Sequence, residues 1–391
     1  MSRLKFGRLG ALVAAIIALA ISNLCAGWAR ADSATDTSTL LTVVVISRHG
    51  VRSPTHPHDL DAYSSRRWPA WNVPPGYLTP HGAELMRGFG AAYRNWYGTE
   101  FGWAASACPP NGAVSIWADV DERTRATGRA VADGFAPGCN VAVGSATTPE
   151  DPLFDPPGRD GDPARADAAV LGAIGGDASS VDVAYGANFA ALRRVMGGRA
   201  LPPTTFKGAT QKSGAGLAGG LDLAADAAEN LLLEYTDGKT PVGWGSVDRA
   251  TLLQLLQLHV WAKRVEHNRY ASQLQSTAIL ERIAQALQER TAKFVFLSGH
   301  DTQLEEISAM LGLSWLVPGD QMNDTPPGSA LVWEVRSNAG GTAFVRMYFA
   351  EQSLDDMRAG VGDRPLRVPV YVPGCPALDC PLPVFESIVD G

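Results

Sequence analysis

Leu41-Thr42-Val43-Val44-Val45-Ile46-Ser47-Arg48-His49-Gly50-Val51-Arg52-Ser53-Pro54 is the stretch on which the fold turns. Residues 41–46 are a short β-branched run with apolar side chains at both alternating positions. That pattern predicts a central strand of a sheet covered on both faces. The run ends at a basic, histidine- and glycine-containing turn, and functional groups just past the carboxyl ends of strands are the usual arrangement of open α/β folds. Residues 114–118 and 293–298 have the same apolar character, and each is followed at once by charged or histidine-bearing residues.

Residues 330–336 and 342–350 predict two more strands around the turn Asn338-Ala339-Gly340-Gly341, a hairpin. Helices separate the strands: Leu252, Leu253, Leu255, Leu256, Val260 and Trp261 make one apolar helical face, and Ile279, Leu280, Ile283 and Leu287 another. The stretch 137–245 differs in texture, with a Pro/Asp/Gly loop at 149–162 and Ala-rich helical segments such as 221–234. It reads as a mainly helical cap inserted into an α/β core made of residues 32–136 and 246–391.

The turn after the first strand offers what a phosphate needs. Three non-bridging oxygens call for several donors converging on one point. Arginine answers with a planar fork that stays charged at any working pH. Arg48 and Arg52 bracket His49, whose neutral imidazole can attack phosphorus, and nearby cations keep it unprotonated to lower pH. Gly50 lets the backbone approach closely, and Pro54 stiffens the loop that follows. A second element, Ser298-Gly299-His300-Asp301-Thr302-Gln303, also follows a predicted buried strand. There His300 can donate to a phosphate oxygen and Asp301 can deliver a proton to a leaving alcohol. The third, Ala118-Asp119-Val120-Asp121-Glu122-Arg123-Thr124-Arg125, opens a helix after a strand; alone it also fits a solvated helix start with intrahelical ion pairs. His81, His259 and His267 read as packing or surface residues.

The ends and the composition place the protein. Arg3, Lys5 and Arg8 precede an apolar run at 11–24, and Ala29-Arg30-Ala31 has the small-x-small form read by signal peptidase, so residues 1–31 read as a cleaved leader. That run is about 14 residues, short of the roughly 20 that span a bilayer. Losing the leader removes four of the 33 basic residues and none of the 40 acidic ones, taking the formal net charge from −7 to −11. Such a balance excludes a nucleic-acid binder, which wants a basic face, and any anion site must be a local cluster of cations. Four of the five cysteines then remain (Cys108, Cys139, Cys375, Cys380). In an exported chain they predict two disulfides, with three possible connectivities, the close pair Cys375/Cys380 stapling a C-terminal loop.

Together these segments resemble the histidine acid phosphatases, marked by RHGxRxP near the N-terminus and HD far downstream, and in particular bacterial periplasmic phytases and glucose-1-phosphatases. The resemblance runs in order through 45–55, 68–71, Leu78-Thr79-Pro80, 118–125, Asp151-Pro152-Leu153-Phe154, 298–302 and Asp324-Thr325-Pro326-Pro327-Gly328. It implies a phosphoglycerate mutase-like α/β fold, with a central mixed sheet flanked by helices and a helical cap. It implies a phosphohistidine at His49, phosphate held by Arg48, Arg52, Arg125 and His300, and Asp301 as proton donor. Thr55, His56, Asp121, Glu229 and Gln303 would line the substrate pocket. It also implies pairs Cys108–Cys139 and Cys375–Cys380, no metal and no cofactor. The expected partner is a small phosphate monoester, met by a periplasmic or secreted monomer that touches no membrane once the leader is gone. Gln303 stands where many members have Asn, and His56 where phytase-like members often carry Lys. That puts phytate in competition with a narrow sugar phosphate as substrate. Two rival readings are a metallohydrolase built on His56, His58 and Asp59, and a non-catalytic phosphate- or sugar-binding protein.

Overall fold

The computed structural model describes residues 36–156, 161–210 and 214–391; the leader expected at 1–31 lies outside them. Strands in chain order are β1 (Thr39–Arg48), β2 (Val114–Ala118), β3 (Val143–Gly144), β4 (Thr204–Lys207), β5 (Gly216–Gly219), β6 (Phe294–Gly299), β7 (Ala330–Ser337), β8 (Ala343–Glu351), β9 (Leu366–Val370) and β10 (Asp379–Pro381). The main sheet runs β10-β8-β7-β1-β6-β2-β3, with β9 also on β8. It is mixed, as expected for this class. β1, β6, β2 and β3 are parallel neighbours, whereas β7 pairs antiparallel with both β1 and β8. The β7–β8 hairpin turns through residues 338–341, where Gly341 takes φ +82° and Asn338 and Thr342 close the loop.

The helices are α1 (Pro80–Tyr97), α2 (Glu122–Phe135), α3 (Pro163–Ala173), α4 (Ser179–Ala184), α5 (Gly186–Met196), α6 (Gly220–Thr236), α7 (Arg249–Glu266), α8 (Arg269–Gln275), α9 (Thr277–Glu289), α10 (Asp301–Leu311), α11 (Leu354–Ala359) and α12 (Leu382–Asp390). Period-two alternation sends the side chains of β1 to two cores. Val44 and Ile46 join Ile279, Ile283 and Leu287 of α9 and Leu304 and Ile307 of α10. Val43 and Val45 join Phe89 and Tyr93 of α1 and Val131 and Phe135 of α2. All four β1 residues are fully buried, and each such side chain stabilises the fold by about 1.5–3 kcal/mol.

Residues 137–245 hold α3 to α6 and the two-stranded β4–β5 sheet, while β3 leaves that stretch to edge the main sheet. The apolar side chains of α3 to α6 form one cluster with Leu252, Leu255, Leu256 and Leu258 of α7. The periodic face read on 252–261 is therefore spent on the helical region, not on the sheet.

Register brings three strand ends to one edge: Arg48 lies opposite Gly299, and Ala118 opposite Ser298. The loop after β1 is held there by close packing. A Cβ on Gly50 would sit 2.7 Å from Met86 Cγ, and one on Gly82, in the first turn of α1, 2.2 Å from the Val51 carbonyl. Thr79 caps that helix, accepting from Gly82 N at 2.9 Å, with Pro80 in the first turn.

Cys108 is joined to Cys139 across 31 residues and Cys375 to Cys380 across 5. Chain-entropy arithmetic gives about 3–4 kcal/mol for the longer ring and about 2 kcal/mol for the shorter. Replacing Cys108 and Cys139 together by Ser is expected to lower the urea unfolding free energy by about 3–4 kcal/mol, and more than the Cys375/Cys380 double replacement does. The reverse order would show that native packing, not restriction of the unfolded chain, carries the effect.

Candidate active site

Arg48, the last residue of β1, is 1 % exposed. Its guanidinium donates to the Thr325 carbonyl at 2.5 Å and to Glu229 Oε1 at 2.5 Å, and lies 3.3 Å from Asp301 Oδ2. Arg52 reaches the same Glu229 oxygen at 3.3 Å. One carboxylate from α6 thus ties down both arginines. Among the described residues, the Nε–H groups of Arg48, Arg52 and Arg123 are buried with no protein acceptor. Buried polar groups normally find partners, so these spare donors around His49 make a candidate anion site.

His49 is 2 % exposed, and its Nδ1 lies 2.8 Å from the Gly50 carbonyl. A carbonyl can only accept, so Nδ1 carries the proton and Nε2 keeps its lone pair. Burial, then Arg123, Arg52, Arg48 and His300, hold the imidazole well below the usual histidine range, hence neutral in acid. The His300 ring stands edge-on to it, centroids 5.5 Å apart. His300 Nε2 donates to Asp119 Oδ2 at 2.7 Å, which fixes the ring.

Gln303 borders the adjoining cavity but is largely buried: its Oε1 accepts from the His300 backbone at 2.9 Å and its Nε2 donates to the Phe154 carbonyl. It closes a capping box at the start of α10 and so orients His300. Asp301, in the first turn, is held well below the usual carboxylate range. Burial pushes it up, but Arg48, Lys263, His259 and His49 outweigh that.

The helix α2 corrects one expectation. Arg125 is exposed on its outer face, along with Arg129 four residues on. Arg123 turns inward instead, paired with Asp121 at 2.6 Å and with its guanidinium 3.5 Å from His300 Nδ1. Two residues are about 200° of helix, so the two arginines cannot face one point. The buried stripe Thr124, Thr127, Gly128 and Val131 sets the phase. Of the pocket residues expected from sequence, Glu229 and Asp121 adjoin the cluster, Asp121 Oδ2 lying 3.6 Å from His300 Nε2. Thr55 and His56 are exposed on the loop beyond it, in contact with each other at 3.3 Å.

Asp119, Arg123, Lys263 and Glu305 carried no assigned role in the sequence reading. His259 and His267, read there as packing residues, are buried among carboxylates: His259 Nε2 lies 3.9 Å from Glu229, and His267 lies 3.4 and 3.3 Å from Glu305 and Glu306. A cavity of about 560 Å³ adjoins the cluster, bordered by His300, Thr302, Lys207, Lys263, Asp222 and Glu266.

Two triads gather possible metal-ligand atoms within 4.8 Å: Asp119 with Asp121 and His300, and His259 with Asp301 and Glu305. His56, His58 and Asp59 belong to neither, and His58 is instead 3.0 Å from Asp61 at the surface. The rival metal reading thus finds no cluster where it was drawn.

Comparison with known proteins gives one family throughout. The profile of the histidine phosphatase superfamily (branch 2) matches residues 39–173. Phytase AppA of Escherichia coli (strain K12) is 31 % identical, over 90 % of this chain and 91 % of that protein. The glucose-1-phosphatase of Providencia rettgeri is 25 % identical, over 81 % of each. Solved structures of Hafnia alvei phytase, with tartrate and with myo-inositol hexakis sulphate, superpose with TM-scores of 0.86 and 0.84. Each is 30 % identical and spans 91 % of this chain and 98 % of that one.

The two arginines of α2 give a direct test. A charge-assisted hydrogen bond contributes about 1.5–3 kcal/mol, about ten- to a hundredfold in affinity. Calorimetry with inorganic phosphate should show that loss for Arg123→Ala, whereas Arg125→Ala should bind as the parent does. Equal losses would return the role to Arg125.

Proposed function

From the premise that the chain belongs to branch 2 of the histidine phosphatase superfamily and is a phosphomonoesterase, we propose that it is a phytase-like acid phosphatase. It hydrolyses myo-inositol hexakisphosphate and simpler monoesters through a phosphohistidine on His49. The observation that carries this reading is the state of His49: its Nδ1 proton is tied to the Gly50 carbonyl, and its free Nε2 stands among arginines with unsatisfied donors.

In the first step Arg48, Arg52 and Arg123 hold the three non-bridging oxygens, with His300, whose Nε2–H is held by Asp119, beside them. Nε2 of His49 forms a bond to phosphorus as the bond to the ester oxygen breaks. Asp301 gives its proton to that oxygen, and the alcohol departs. In the second, water attacks phosphorus, its proton goes to Asp301, the P–N bond breaks, and phosphate leaves with His49 neutral again. Cations fixed where charge collects need no reorganisation during either step.

The two protonation demands set an acid optimum. His49 must be neutral, and its lowered pKa allows that well into acid. Asp301 must be protonated, which Arg48 opposes in the free enzyme. A bound phosphate dianion adds negative charge beside that carboxylate and raises its proton affinity. Activity should therefore fall as pH rises toward neutrality, through loss of the Asp301 proton. It should fall again only in strong acid, where His49 itself becomes protonated.

The phytase reading over a narrow sugar-phosphate phosphatase rests on the likeness to AppA and Hafnia phytase and on Lys207 and Lys263 lining the adjoining cavity. Asp155, Asp222 and Glu266 on the same wall favour the second reading, a hydroxyl-rich monophosphate. The leader expected at 1–31 and the two disulfides support a periplasmic or secreted site of action. Among the described residues no helix is long and apolar enough to cross a membrane. Residues 137–245 would serve as the cap, with Glu229 its tie to the core.

Turnover of phytate, glucose 1-phosphate and 4-nitrophenyl phosphate at acid pH decides between the substrates; phytate is expected to have the highest kcat/KM. Acid-quench trapping with labelled substrate should capture a phosphoenzyme in the parent and none in a folded His49→Ala, whose turnover should drop by at least about 10⁴-fold. Full activity in that variant would sink the covalent mechanism.

A further inference from the structure

We propose that Glu305, one helical turn beyond Asp301 on α10, is a positioning residue that stores the proton Asp301 delivers. This rests on the reading of Asp301 as the donor to the leaving group.

The geometry is that of a shared site. Positions i and i+4 lie on one face of a helix, and oxygens of Asp301 and Glu305 and a nitrogen of His259 all lie within 4.8 Å of one another. Their side chains are 18 %, 12 % and 5 % exposed. Both nitrogens of His259 and Oε2 of Glu305 are buried without a hydrogen-bond partner among the described residues. Two carboxylates this close, sheltered from water, do not both ionise, so one holds a proton.

The surroundings decide which. Arg48 stands 3.3 Å from Asp301 and favours its anion. No arginine or lysine pairs with Glu305 among the described residues. Its Oε1 accepts from the Thr325 hydroxyl at 3.0 Å, and His267 lies 3.4 Å from Oε2. His267 is itself shared with Glu306 at 3.3 Å, and Glu306 is bonded to Ser276. From α7, Lys263 is paired with Glu266 at 2.9 Å, and from α6, Glu229 is occupied by Arg48 and Arg52. Burial pushes the Glu305 carboxyl up to about 7, with Asp301 adding to the rise and His267 and Lys263 opposing it. In the free enzyme at acid pH the proton therefore rests on Glu305.

Substrate binding reverses the preference. A phosphate dianion engages the arginine that had held Asp301 as an anion, and the proton passes from the Glu305 carboxyl to the Asp301 carboxylate. Glu305 becomes the carboxylate, faced by His267. Asp301 then protonates the leaving oxygen, recovers a proton from the attacking water, and returns it to Glu305 when phosphate departs. Protons balance over the cycle, and no oxidant or metal takes part. The Thr325 residue that bonds Glu305 through its hydroxyl also receives Arg48 through its carbonyl, at 2.5 Å. Acid and cation are thus set by one loop.

The test compares kcat against pH for the parent, Glu305→Gln, Glu305→Asp and Asp301→Asn, each on an alkyl phosphate and on 4-nitrophenyl phosphate. A poor leaving group needs the proton and a good one needs it far less. Glu305→Gln should lose at least about tenfold on the alkyl ester near pH 6, with its alkaline limb moved to lower pH and a much smaller loss on the aryl ester. Glu305→Asp, which keeps a carboxyl, should restore most of that limb. Equal losses on both esters, or an unmoved profile, overturn the proposal if Asp301→Asn still discriminates between the leaving groups. If Asp301→Asn does not discriminate, Asp301 is not the donor, and the role of Glu305 falls with it.

Discussion

A permanent cation buried at the end of the central strand is the constraint around which this molecule is organised. Arg48 is almost completely enclosed, and a buried charge is tolerated only when it is paired and hydrogen-bonded. Its partners come from three distant parts of the chain: the Thr325 loop, Glu229 on α6 and Asp301 on α10. Removing one partner of such a set typically costs about 3–5 kcal/mol, because an uncompensated charge is left behind. The helical region and the sheet are therefore tied at the candidate site.

That tie sets up a competition which the substrate resolves. Glu229 and Asp301 occupy part of the positive charge that an incoming phosphate needs, and so keep the arginines ordered before it arrives. They leave the guanidinium Nε–H groups unsatisfied. The chain as a whole carries an excess of acid. Under the proposed function, affinity for an anion comes from a small cluster working against the overall field, with low local polarity strengthening each contact.

How much of this was legible in the sequence depended on whether a residue's neighbours were local. The apolar run 41–46, the equivalent runs before Asp119 and His300, and the 338–341 turn announce strands whose ends must meet if they share a sheet. In the structure Arg48, His49, His300 and Asp301 do lie together at those strand ends. Arg123 and Arg125 lie two residues apart, and only the phase of α2 separates them. Thr124, Thr127, Gly128 and Val131 carry that phase in the sequence, whereas the resemblance alone pointed to the second arginine. Glu305, His267 and His259 were beyond reach for a different reason. Each acquires its meaning from a partner on another helix, and amphipathic periodicity cannot distinguish a buried ion network from an ordinary polar face. The same limit applies to α7, whose apolar face was clear while its destination, the α3–α6 cluster, was not.

The proposed acid optimum and the choice of substrate then have a common physical root. Asp155 and Asp222, on the cavity wall, are both pushed above the ordinary carboxylate range by burial, so they shed charge early as pH falls. Lys263, on the same wall, is pushed up as well: burial would lower it, but Glu266, Asp301 and Glu305 outweigh that, so it stays charged. Acidification therefore turns the cavity from net negative toward positive while it supplies the proton that ester cleavage needs. A substrate with several phosphates gains from both changes; one with a single phosphate and many hydroxyls gains only from the second. Under the proposed function, the arginine–histidine cluster governs the reaction, and the charge balance of this wall governs how strongly the preferred ester depends on pH.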